Sequence, residues 1–426
     1  MIVAAAALVL GTSTDAGLAP LGDEFPVASG TKRYTVGARV ATDSAGRFVV
    51  VWQSTVAAGA NEWDIRGRCY DANGTPLARA FAVNTYTTGL QEYPSVAISN
   101  GAEFVVAWSG AGLGDHYGAF ARVYAADGAP KGPQFALHSP TDTVFEREPS
   151  AAAEGDGFLV GWLEQERIAG VSVSATAETT PRFVVDVAAP KRVALDTVPS
   201  GEFVVAWSTS EYLGLGYAGG YSGIVQGQEF GADGTPAQDF QVNVSRYDPT
   251  GYGFVIDGNR SLAAAADARG DFVVGFDSYV ADYYYNVDSR EYGYEIGAAL
   301  ERFTTDVTQG GELVPIRPTW GGPQIIPDVA ITPGGNVVAV WSDYASLSHG
   351  IDGDDPDIDG RGIFARAIDC HGSDKTDGAV QINSHTMGDQ TAPAVAVNEA
   401  GDVVVVWHTP RASGNGYAVA GRPASR

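Results

Sequence analysis

The sequence predicts an all-β fold: a single seven-bladed β-propeller made of four-stranded antiparallel blades. An aromatic residue near the end of an apolar strand recurs seven times at spacings of 45 to 69 residues, and a repeat period near 50 residues is typical of propellers and solenoids. Within each copy the apolar residues follow β periodicity, with no sustained helical pattern. These landmark aromatic residues are Trp52, Trp108, Trp162, Trp207, Phe276, Trp341 and Trp407.

One complete unit spans residues 93–141. It reads as four strands, "YPSVAIS", "FVVAWS", "YGAFARVYA" and "PQFALHSP", and four antiparallel strands per repeat form one propeller blade. The first strand of each unit is rich in alanine, which favours the innermost position, where the blades converge on the axis and large side chains would collide. The third unit is the shortest and least regular, so its outer strands have the weakest sequence pattern.

The two ends of the chain complement each other. The seventh unit stops at Arg426, directly after its third strand, whereas the N-terminal "GDEFPVAS" (22–29) matches the fourth-strand sequence "GPQFALHS" (132–139). We therefore predict that the N-terminal segment completes the last blade and closes the ring. Closure removes the free sheet edges that an open array would expose, which favours a propeller over a solenoid with capping repeats.

Residues 1–18 are predicted to be a signal peptide or a disordered leader, and residues 19–426 the propeller. The leader begins with the apolar "MIVAAAALVL" and continues with small and polar residues, but it lacks a basic n-region. No later stretch approaches the roughly 20 apolar residues that a membrane helix needs, so no membrane span is expected. We expect an extracellular or cell-surface location.

Charge and cysteine content narrow the choice of partners. The net charge of −25 makes nucleic acid an unsuitable partner, because phosphate binding needs a basic surface. Part of the aspartate excess belongs to turns, where aspartate is favoured. Cys69 and Cys370 are the two cysteines; they fall on or near equivalent strands of non-adjacent repeats, so we expect free thiols and neither a disulfide nor a zinc site.

The longest connections lie on one face of the predicted propeller. Connections between second and third strands share that face with the linkers between blades, and in the fourth and fifth units they are long and rich in tyrosine. Tyrosine buries a large area at low entropy cost and keeps a polar tip, which suits ligand recognition. The alternative is that these loops pack on each other and cover the channel mouth. The predicted ligand-binding residues are Tyr212, Tyr217, Tyr221, Tyr247, Tyr279, Tyr283, Tyr284, Tyr285, Tyr292, Tyr294 and Trp320.

An acidic loop in the sixth unit predicts a calcium site. Its last three aspartates and Gly360 spell D-x-D-x-D-G, the opening of an EF-hand loop, but position 12 is Arg366 where a bidentate glutamate is expected. Five carboxylates within eight residues repel one another unless a cation lies among them; the alternative is a solvated loop whose repulsion is screened by salt. The candidate ligands of Ca²⁺ are Asp352, Asp354, Asp355, Asp357 and Asp359.

The repeat resembles one that is common in bacterial secreted and surface proteins. The resemblance is carried by "VNTYTTGLQEYPSVA" (83–97) and "FVVVW" (48–52) and extends over nearly the whole chain. It implies an extracellular propeller and says little about the ligand, because those proteins are mostly uncharacterised. The chain lacks the residue order of the sialidase Asp-box and the Gly-His and Trp-Asp signature of WD40 repeats.

Taken together, these patterns favour an extracellular binding or adhesion module that recognises a glycan or a protein. The alternatives are a propeller glycoside hydrolase or lyase with carboxylates at the channel mouth, and a purely structural surface module. No catalytic residues are predicted, because the sequence contains no nucleophile elbow, phosphate loop or metalloprotease histidine pair. The fold does not decide among these activities, since propellers host many.

Overall fold

The computed structural model describes fourteen parts of the chain. All regular secondary structure within them is β-strand, and no helix there has the length and hydropathy that a membrane span requires. The described residues are 18, 24–28, 34–55, 62–112, 115–138, 146–213, 220–242, 261–285, 292–303, 313–315, 325–344, 360–369, 379–410 and 417–423.

The described strands form seven four-stranded antiparallel sheets, as the repeat predicts. The first four are consecutive in sequence. Blade 1 contains β2 (Thr35–Thr42), β3 (Phe48–Thr55), β4 (Trp63–Tyr70) and β5 (Phe81–Ala82). Blade 2 contains β6 (Gln91–Ile98), β7 (Phe104–Gly112), β8 (Asp115–Tyr124) and β9 (Phe135–Ala136). Blade 3 contains β10 (Glu146–Glu154), β11 (Gly157–Glu164), β12 (Arg167–Val173) and β13 (Thr179–Asp186), and blade 4 contains β14 (Pro190–Thr197), β15 (Phe203–Leu213), β16 (Gly220–Phe230) and β17 (Pro236–Val242).

The remaining three blades complete the ring. Blade 5 contains β18 (Leu262–Ala266), β19 (Phe272–Tyr285), β20 (Tyr292–Phe303) and β21 (Leu313–Pro315). Blade 6 contains β22 (Ile325–Ile331), β23 (Val337–Tyr344), β24 (Arg361–Ile368) and β25 (Val380–Gln381). Blade 7 contains β26 (Thr391–Val397), β27 (Val403–Pro410), β28 (Tyr417–Pro423) and, from the other end of the chain, β1 (Phe25–Ala28).

The N-terminal strand closes the ring, which confirms the prediction from the unmatched ends. Strand β1 pairs antiparallel with β28, with Phe25 opposite Gly421. The Phe25 ring also packs across the blade boundary, with its centroid 5.2 Å from that of Tyr70 and 6.0 Å from that of Phe48 in blade 1. Closure is therefore made by backbone hydrogen bonds within blade 7 and by an aromatic contact to blade 1.

The same aromatic contact recurs around the ring. In each case an outer-strand phenylalanine of one blade packs on a stacked pair from the next blade, and the stacked ring centroids are 4.7 to 4.8 Å apart. Aromatic clusters of this kind contribute beyond the area that they bury. The four sets are Phe25 with Phe48 and Tyr70, Phe81 with Phe104 and Tyr124, Phe183 with Phe203 and Phe230, and Phe240 with Phe272 and Phe303.

Blade 3 is complete despite its irregular sequence. Its strands β11 and β12 pair without a break, from Phe158 opposite Val173 to Glu164 opposite Arg167. The unit is short because only residues 165 and 166 separate these strands, whereas the equivalent connections in blades 1, 4, 5, 6 and 7 are longer. The weak sequence pattern therefore reflects a tight hairpin and not a missing strand.

Side chains of the inner strands, together with His408 of β27, tie neighbouring blades together. In each contact a side-chain oxygen or nitrogen of one blade accepts a hydrogen bond from a backbone N–H of the next inner strand. Such bonds satisfy amides on strand edges that would otherwise be left unpaired at the axis. The pairs are Ser95 Oγ with Ala151 N (3.0 Å), Ser150 Oγ with Leu195 N (3.2 Å), Asp196 Oδ2 with Ala266 N (2.8 Å), Asp328 Oδ2 with Val395 N (2.9 Å) and His408 Nε2 with Ala38 N (3.2 Å).

Cys69 is a buried free thiol, in agreement with the sequence-based expectation for that residue. Burial raises the pKa of the thiol to about 11, and the nearby Asp127 carboxylate adds to the effect. A thiol with so high a pKa has almost no thiolate at neutral pH, which is the form that reacts and binds metals. Cys370 lies outside the described residues.

Candidate functional site

The blades surround an axial cavity of about 1040 Å³ that is lined by the inner strand of every blade. These strands are β2, β6, β10, β14, β18, β22 and β26. Ligand pockets usually have volumes of about 300–1,000 Å³. The cavity therefore has room for a ligand the size of a small oligosaccharide.

One end of this cavity opens on the face that carries the long connections. Each inner strand begins at an inter-blade linker and runs towards the short turn before the second strand. The starts of the inner strands therefore lie on the same face as the linkers and as the connections between second and third strands. We call this the loop face, and the end of the cavity that opens on it the mouth.

Equivalent residues from the inner strands form a ring at the mouth. In each blade, the residue just before the landmark aromatic pairs with one residue of the inner strand. The ring position lies two residues before that inner-strand partner. Three consecutive blades place large polar side chains there, and three others place small residues. In blades 1 to 5 and 7 the residues are Gly37, Tyr93, Glu148, Arg192, Ser261 and Ala392, and all six line the cavity.

In blades 2, 3 and 7 a recurrent β-bulge fixes this position in the left-handed backbone region. The φ angle is 52° at Tyr93, 54° at Glu148 and 50° at Ala392, values that L-residues adopt rarely. The backbone N–H of Tyr93 donates a hydrogen bond to Gln53 Oε1 (3.0 Å), and that of Glu148 donates to Ser109 Oγ (2.8 Å). Because β-bulges re-aim side chains, this local kink turns Tyr93 and Glu148 towards the mouth, and the preceding blade holds the backbone of each in place.

The three polar mouth residues are neighbours around the ring. Arg192 forms an ion pair with Glu148 across the boundary of blades 3 and 4. Tyr93, in blade 2, is 45% exposed. Burial raises the pKa of the Tyr93 hydroxyl, and the Glu148 and Glu92 carboxylates raise it further. The mouth therefore presents an exposed aromatic ring beside a paired carboxylate and guanidinium.

Deeper in the channel the carboxylates are held by backbone amides. Burial raises the pKa of Asp196 to about 6, although the amides of Ala266 and Thr197 partly offset the effect by donating hydrogen bonds to the carboxylate. Burial also raises the pKa of Asp328, against the opposing effect of the Arg39 guanidinium. These groups join blades together as well as lining the channel, so a structural role accounts for them.

His408, which follows the landmark Trp407, is neutral in the folded protein. Burial lowers the pKa of His408 to about 3, and the positive charge of Arg39 lowers it further. Its Nε2 atom accepts a hydrogen bond from Ala38 N, which requires that nitrogen to be unprotonated. His408 therefore links blade 7 to blade 1, which gives this residue a partner that the sequence does not reveal.

Two β-hairpins project from the loop face, in blades 4 and 5. In blade 5 the inner strand β18 pairs with β19 as far as Phe276. Beyond it, residues 277–280 and 284–285 pair only with β20, with a register shift between them. The β20 side of this ribbon spans residues 292–298, which at about 3.3 Å per residue is a length of about 23 Å. In blade 4 the four residues 210–213 extend β15 beyond its last partner on β14 and pair only with β16. We call these segments the blade 4 ribbon and the blade 5 ribbon.

Most of the predicted ligand-binding tyrosines lie on these two ribbons. The blade 4 ribbon places Tyr212 opposite Tyr221. The blade 5 ribbon places Tyr285 opposite Tyr292. It also contains Tyr279, Tyr283, Tyr284 and Tyr294. The backbone therefore brings eight of the eleven predicted residues to two neighbouring hairpins on one face.

The other predicted site residues lie outside the described residues. They are Tyr217, Tyr247, Trp320 and the five aspartates of the acidic loop, Asp352, Asp354, Asp355, Asp357 and Asp359. Arg366, at the twelfth position of the EF-hand-like sequence, lies buried in β24 with Ala339 as its Cα partner. Within the part of the chain that the structure describes, no group of three or more His, Cys, Asp or Glu side chains could hold a metal ion.

Sequence reasoning missed the mouth residues Tyr93, Glu148 and Arg192. Two of them carry a signal in the sequence: the inner strands begin "YPS" (93–95), "EPS" (148–150) and "APA" (392–394), with a variable residue before a repeated proline. In a repeat, a position that varies at a fixed place in the ring is a candidate for specificity. That interpretation requires the strand register, which locates the position at the mouth.

The closed ring, the axial cavity and the tyrosine-bearing ribbons define a seven-bladed β-propeller with a ligand-sized opening on its loop face. No protein-family model and no curated protein matches the sequence. The chain is similar in structure to a protein of unknown function from Dyadobacter fermentans DSM 18053, at 12% identity, with 99% of this chain and 98% of that chain covered and a TM-score of 0.52.

Two further similar structures are of an ulvan lyase, from a new family of polysaccharide lyases. One is 10% identical, with 91% of this chain and 93% of that chain covered and a TM-score of 0.52. The other, bound to -[GlcA(1-4)Rha3S]-, is also 10% identical, with 98% and 95% covered and a TM-score of 0.51. At these identities the similarity establishes the β-propeller fold and nothing further.

Proposed function

We propose that this protein is a glycan-binding module whose ligand docks on the ribbons of blades 4 and 5. The observation that carries the proposal is the concentration of tyrosines on two hairpins that extend beyond their four-stranded sheets. A rigid scaffold that presents loops of unusual length and composition is the usual arrangement for recognition. Tyrosine supplies both an apolar ring and a hydroxyl group, which match the C–H face and the hydroxyl edge of a sugar.

The comparisons support a glycan over a protein as the ligand. One of the similar structures is a polysaccharide lyase bound to a saccharide. The shared fold is therefore compatible with carbohydrate recognition. We further propose that the protein acts outside the cell or at its surface, on the basis of the apolar sequence of residues 1–10 and the resemblance of the repeat to one common in bacterial secreted and surface proteins.

A polysaccharide lyase is the second candidate, and the ulvan lyase similarity favours it. Lyase activity would require a base and an acid at the scissile bond, and carboxylate and tyrosine groups both occur at the mouth. Incubation with a panel of acidic polysaccharides, followed by ultraviolet absorbance of the unsaturated product, tests this candidate. Turnover that a single mouth substitution abolishes would replace the binding module with the enzyme.

Binding to a glycan array tests the principal proposal. Tyr284→Ala and Tyr292→Ala should each reduce binding at least tenfold and leave the thermal midpoint nearly unchanged. Tyr34→Ala is the matched control, because Tyr34 is 43% exposed and does not line the cavity. Unchanged binding in both ribbon variants would contradict the proposal, and a large loss of stability without loss of binding would show that the ribbons only pack together.

A further inference from the structure

We propose that the mouth of the axial channel is a second ligand site, which holds the end of a neutral saccharide against Tyr93, Glu148 and Arg192. The proposal takes its ligand class, a glycan, from the proposed function. It rests on different residues, however, because the mouth belongs to the inner strands of blades 2 to 4 and not to the ribbons.

The shape of the mouth favours a ligand that lies against one side. The large side chains occupy three consecutive blades. The remaining described members of the ring are the small residues Gly37, Ser261 and Ala392. Among the described residues the ring is therefore asymmetric, with large side chains at blades 2 to 4 and small ones at blades 1, 5 and 7. The cavity volume of about 1040 Å³ is at the upper end of the range for ligand pockets.

Tyr93 provides a fixed aromatic wall. The residue is 45% exposed although it belongs to an inner strand. Its backbone is held by the hydrogen bond from Tyr93 N to Gln53 Oε1, so little ordering is needed when a ligand binds. Binding groups that are already fixed lose less entropy on association.

The Glu148–Arg192 pair determines the charge of the ligand. A sugar hydroxyl can donate to the Glu148 carboxylate and accept from the Arg192 guanidinium without separating the two. An acidic sugar would have to compete with Glu148 for Arg192, and it would approach a protein of net charge −25. A cationic ligand would have to displace Arg192 from Glu148. The site therefore suits a neutral saccharide.

The repeat itself supplies tolerated substitutions at these positions. Ala392 occupies the equivalent position in blade 7 at φ 50°, so alanine can adopt the bulge conformation in place of Tyr93 or Glu148. Ser261 occupies the equivalent position in blade 5, which makes serine suitable in place of Arg192. The double variant Glu148→Ala/Arg192→Ser removes both charges and leaves neither partner unpaired.

The experiment is saturation-transfer NMR and titration calorimetry on the full chain. The probes are the neutral trisaccharides maltotriose, cellotriose, xylotriose and mannotriose, with trigalacturonic acid as the acidic comparison. We expect at least one neutral probe to bind at least tenfold more tightly than trigalacturonic acid. Tyr93→Ala and the double variant should each weaken that binding at least tenfold, whereas Tyr34→Ala should leave it unchanged.

The outcomes separate this site from the ribbons. Loss of binding in Tyr93→Ala with full binding in Tyr284→Ala supports the mouth site and shows that this probe does not need the ribbons. Loss in Tyr284→Ala with full binding in Tyr93→Ala has the reverse meaning. Absence of binding by all neutral probes, or tighter binding of trigalacturonic acid, overturns the assignment of a neutral saccharide to the mouth.

Discussion

Glu24 and Ser384 are 360 positions apart in the sequence, and a hydrogen bond joins them at the ring closure. Glu24 Oε1 accepts from Ser384 Oγ at 2.6 Å, and it accepts from the backbone N–H of His385 at 3.2 Å. Blade 2 contains the same arrangement, in which Gln134 Oε1 accepts from Thr85 Oγ1 at 2.9 Å. The N-terminal segment thus reproduces an ordinary inter-blade contact, with a carboxylate in place of the amide.

Removal of the Glu24 side chain should therefore weaken ring closure. Glu24→Ala should lower the free energy of unfolding by about 1–2 kcal/mol, because hydrogen bonds to a charged group contribute about 1.5–3 kcal/mol and this group is only partly buried. Glu24→Gln should cost less than about 0.5 kcal/mol, since glutamine makes the equivalent contacts in blade 2. Denaturant unfolding monitored by tryptophan fluorescence measures both values.

The exposed Glu178 provides the control for Glu24. Its backbone N–H donates a hydrogen bond to Ser174 Oγ in a turn, but its carboxylate is exposed, so Glu178→Ala should change the free energy of unfolding by less than about 0.5 kcal/mol. Equal stabilities for Glu24→Ala and the native protein would show that closure depends on the strand pairing and Phe25 alone.

His408 should limit stability in acid. Its folded-state pKa of about 3 is below the ordinary value, so the unfolded chain binds a proton as the pH falls below about 6.5 while the folded chain does not. The contribution is present above pH 6.5 and is lost as the pH falls towards the folded value, at about 1.4 kcal/mol per pH unit. His408→Gln should keep the bond to Ala38 N, as Gln53 keeps the equivalent bond to Tyr93 N.

Unfolding free energies at pH 7, 5 and 4 test this expectation for His408. The glutamine variant should be within about 1 kcal/mol of the native protein at pH 7 and more stable than it at pH 4. An identical pH dependence for the two proteins would mean that His408 is not the group that limits stability in acid.

Asp196 should have the opposite pH dependence. Its folded-state pKa of about 6 is above its ordinary value, so its contribution to stability is highest below about pH 4 and is lost as the pH rises through 6. Asp196→Asn removes the titration and keeps an oxygen that can accept from Ala266 N. Relative to the native protein, the variant should gain about 2 kcal/mol of stability between pH 4 and pH 7.5. Denaturant titrations at the two pH values measure this difference, and a constant difference would contradict it.

The sequence predicted the scaffold well because the scaffold is local and repeated. Each landmark aromatic residue lies in the second strand of its blade. The match between 22–29 and 132–139 identified the closing strand, since equivalent positions of a repeat make equivalent contacts. The sequence also predicted the tyrosine-rich connections that form the ribbons, because their extra length and tyrosine content can be read from the sequence.

The mouth and the axial contacts could not be predicted in the same way. Tyr93 and Glu148 reach the mouth because a bulge shifts the register of their strands, and a shift of one residue reverses which face a side chain occupies. The partner of His408 is the amide of Ala38, which only ring closure brings near. Contacts of this kind depend on which residues of two neighbouring blades face each other, and the sequence of a single repeat does not specify them.

Calcium binding by the acidic loop of blade 6 is the remaining proposal from the sequence. Five aspartates within residues 352–359 should bind Ca²⁺ to offset their mutual repulsion, because carboxylate oxygens are its preferred ligands. A ligand that binds only the folded state stabilises it by about 2.7 kcal/mol when the free ion is at about 100 times its Kd. Calorimetric melting in millimolar Ca²⁺ should therefore show a higher midpoint than melting in EDTA.

The triple variant Asp355→Asn/Asp357→Asn/Asp359→Asn assigns any calcium effect to this loop. It should abolish the rise in midpoint, whereas Asp156→Asn, at an exposed turn of blade 3, should retain it. Equal midpoints of the native protein in Ca²⁺ and in EDTA would contradict the proposal and would leave the loop as a solvated surface whose repulsion is screened by salt. A rise that persists in the triple variant would show that Asp355, Asp357 and Asp359 are not required for calcium binding.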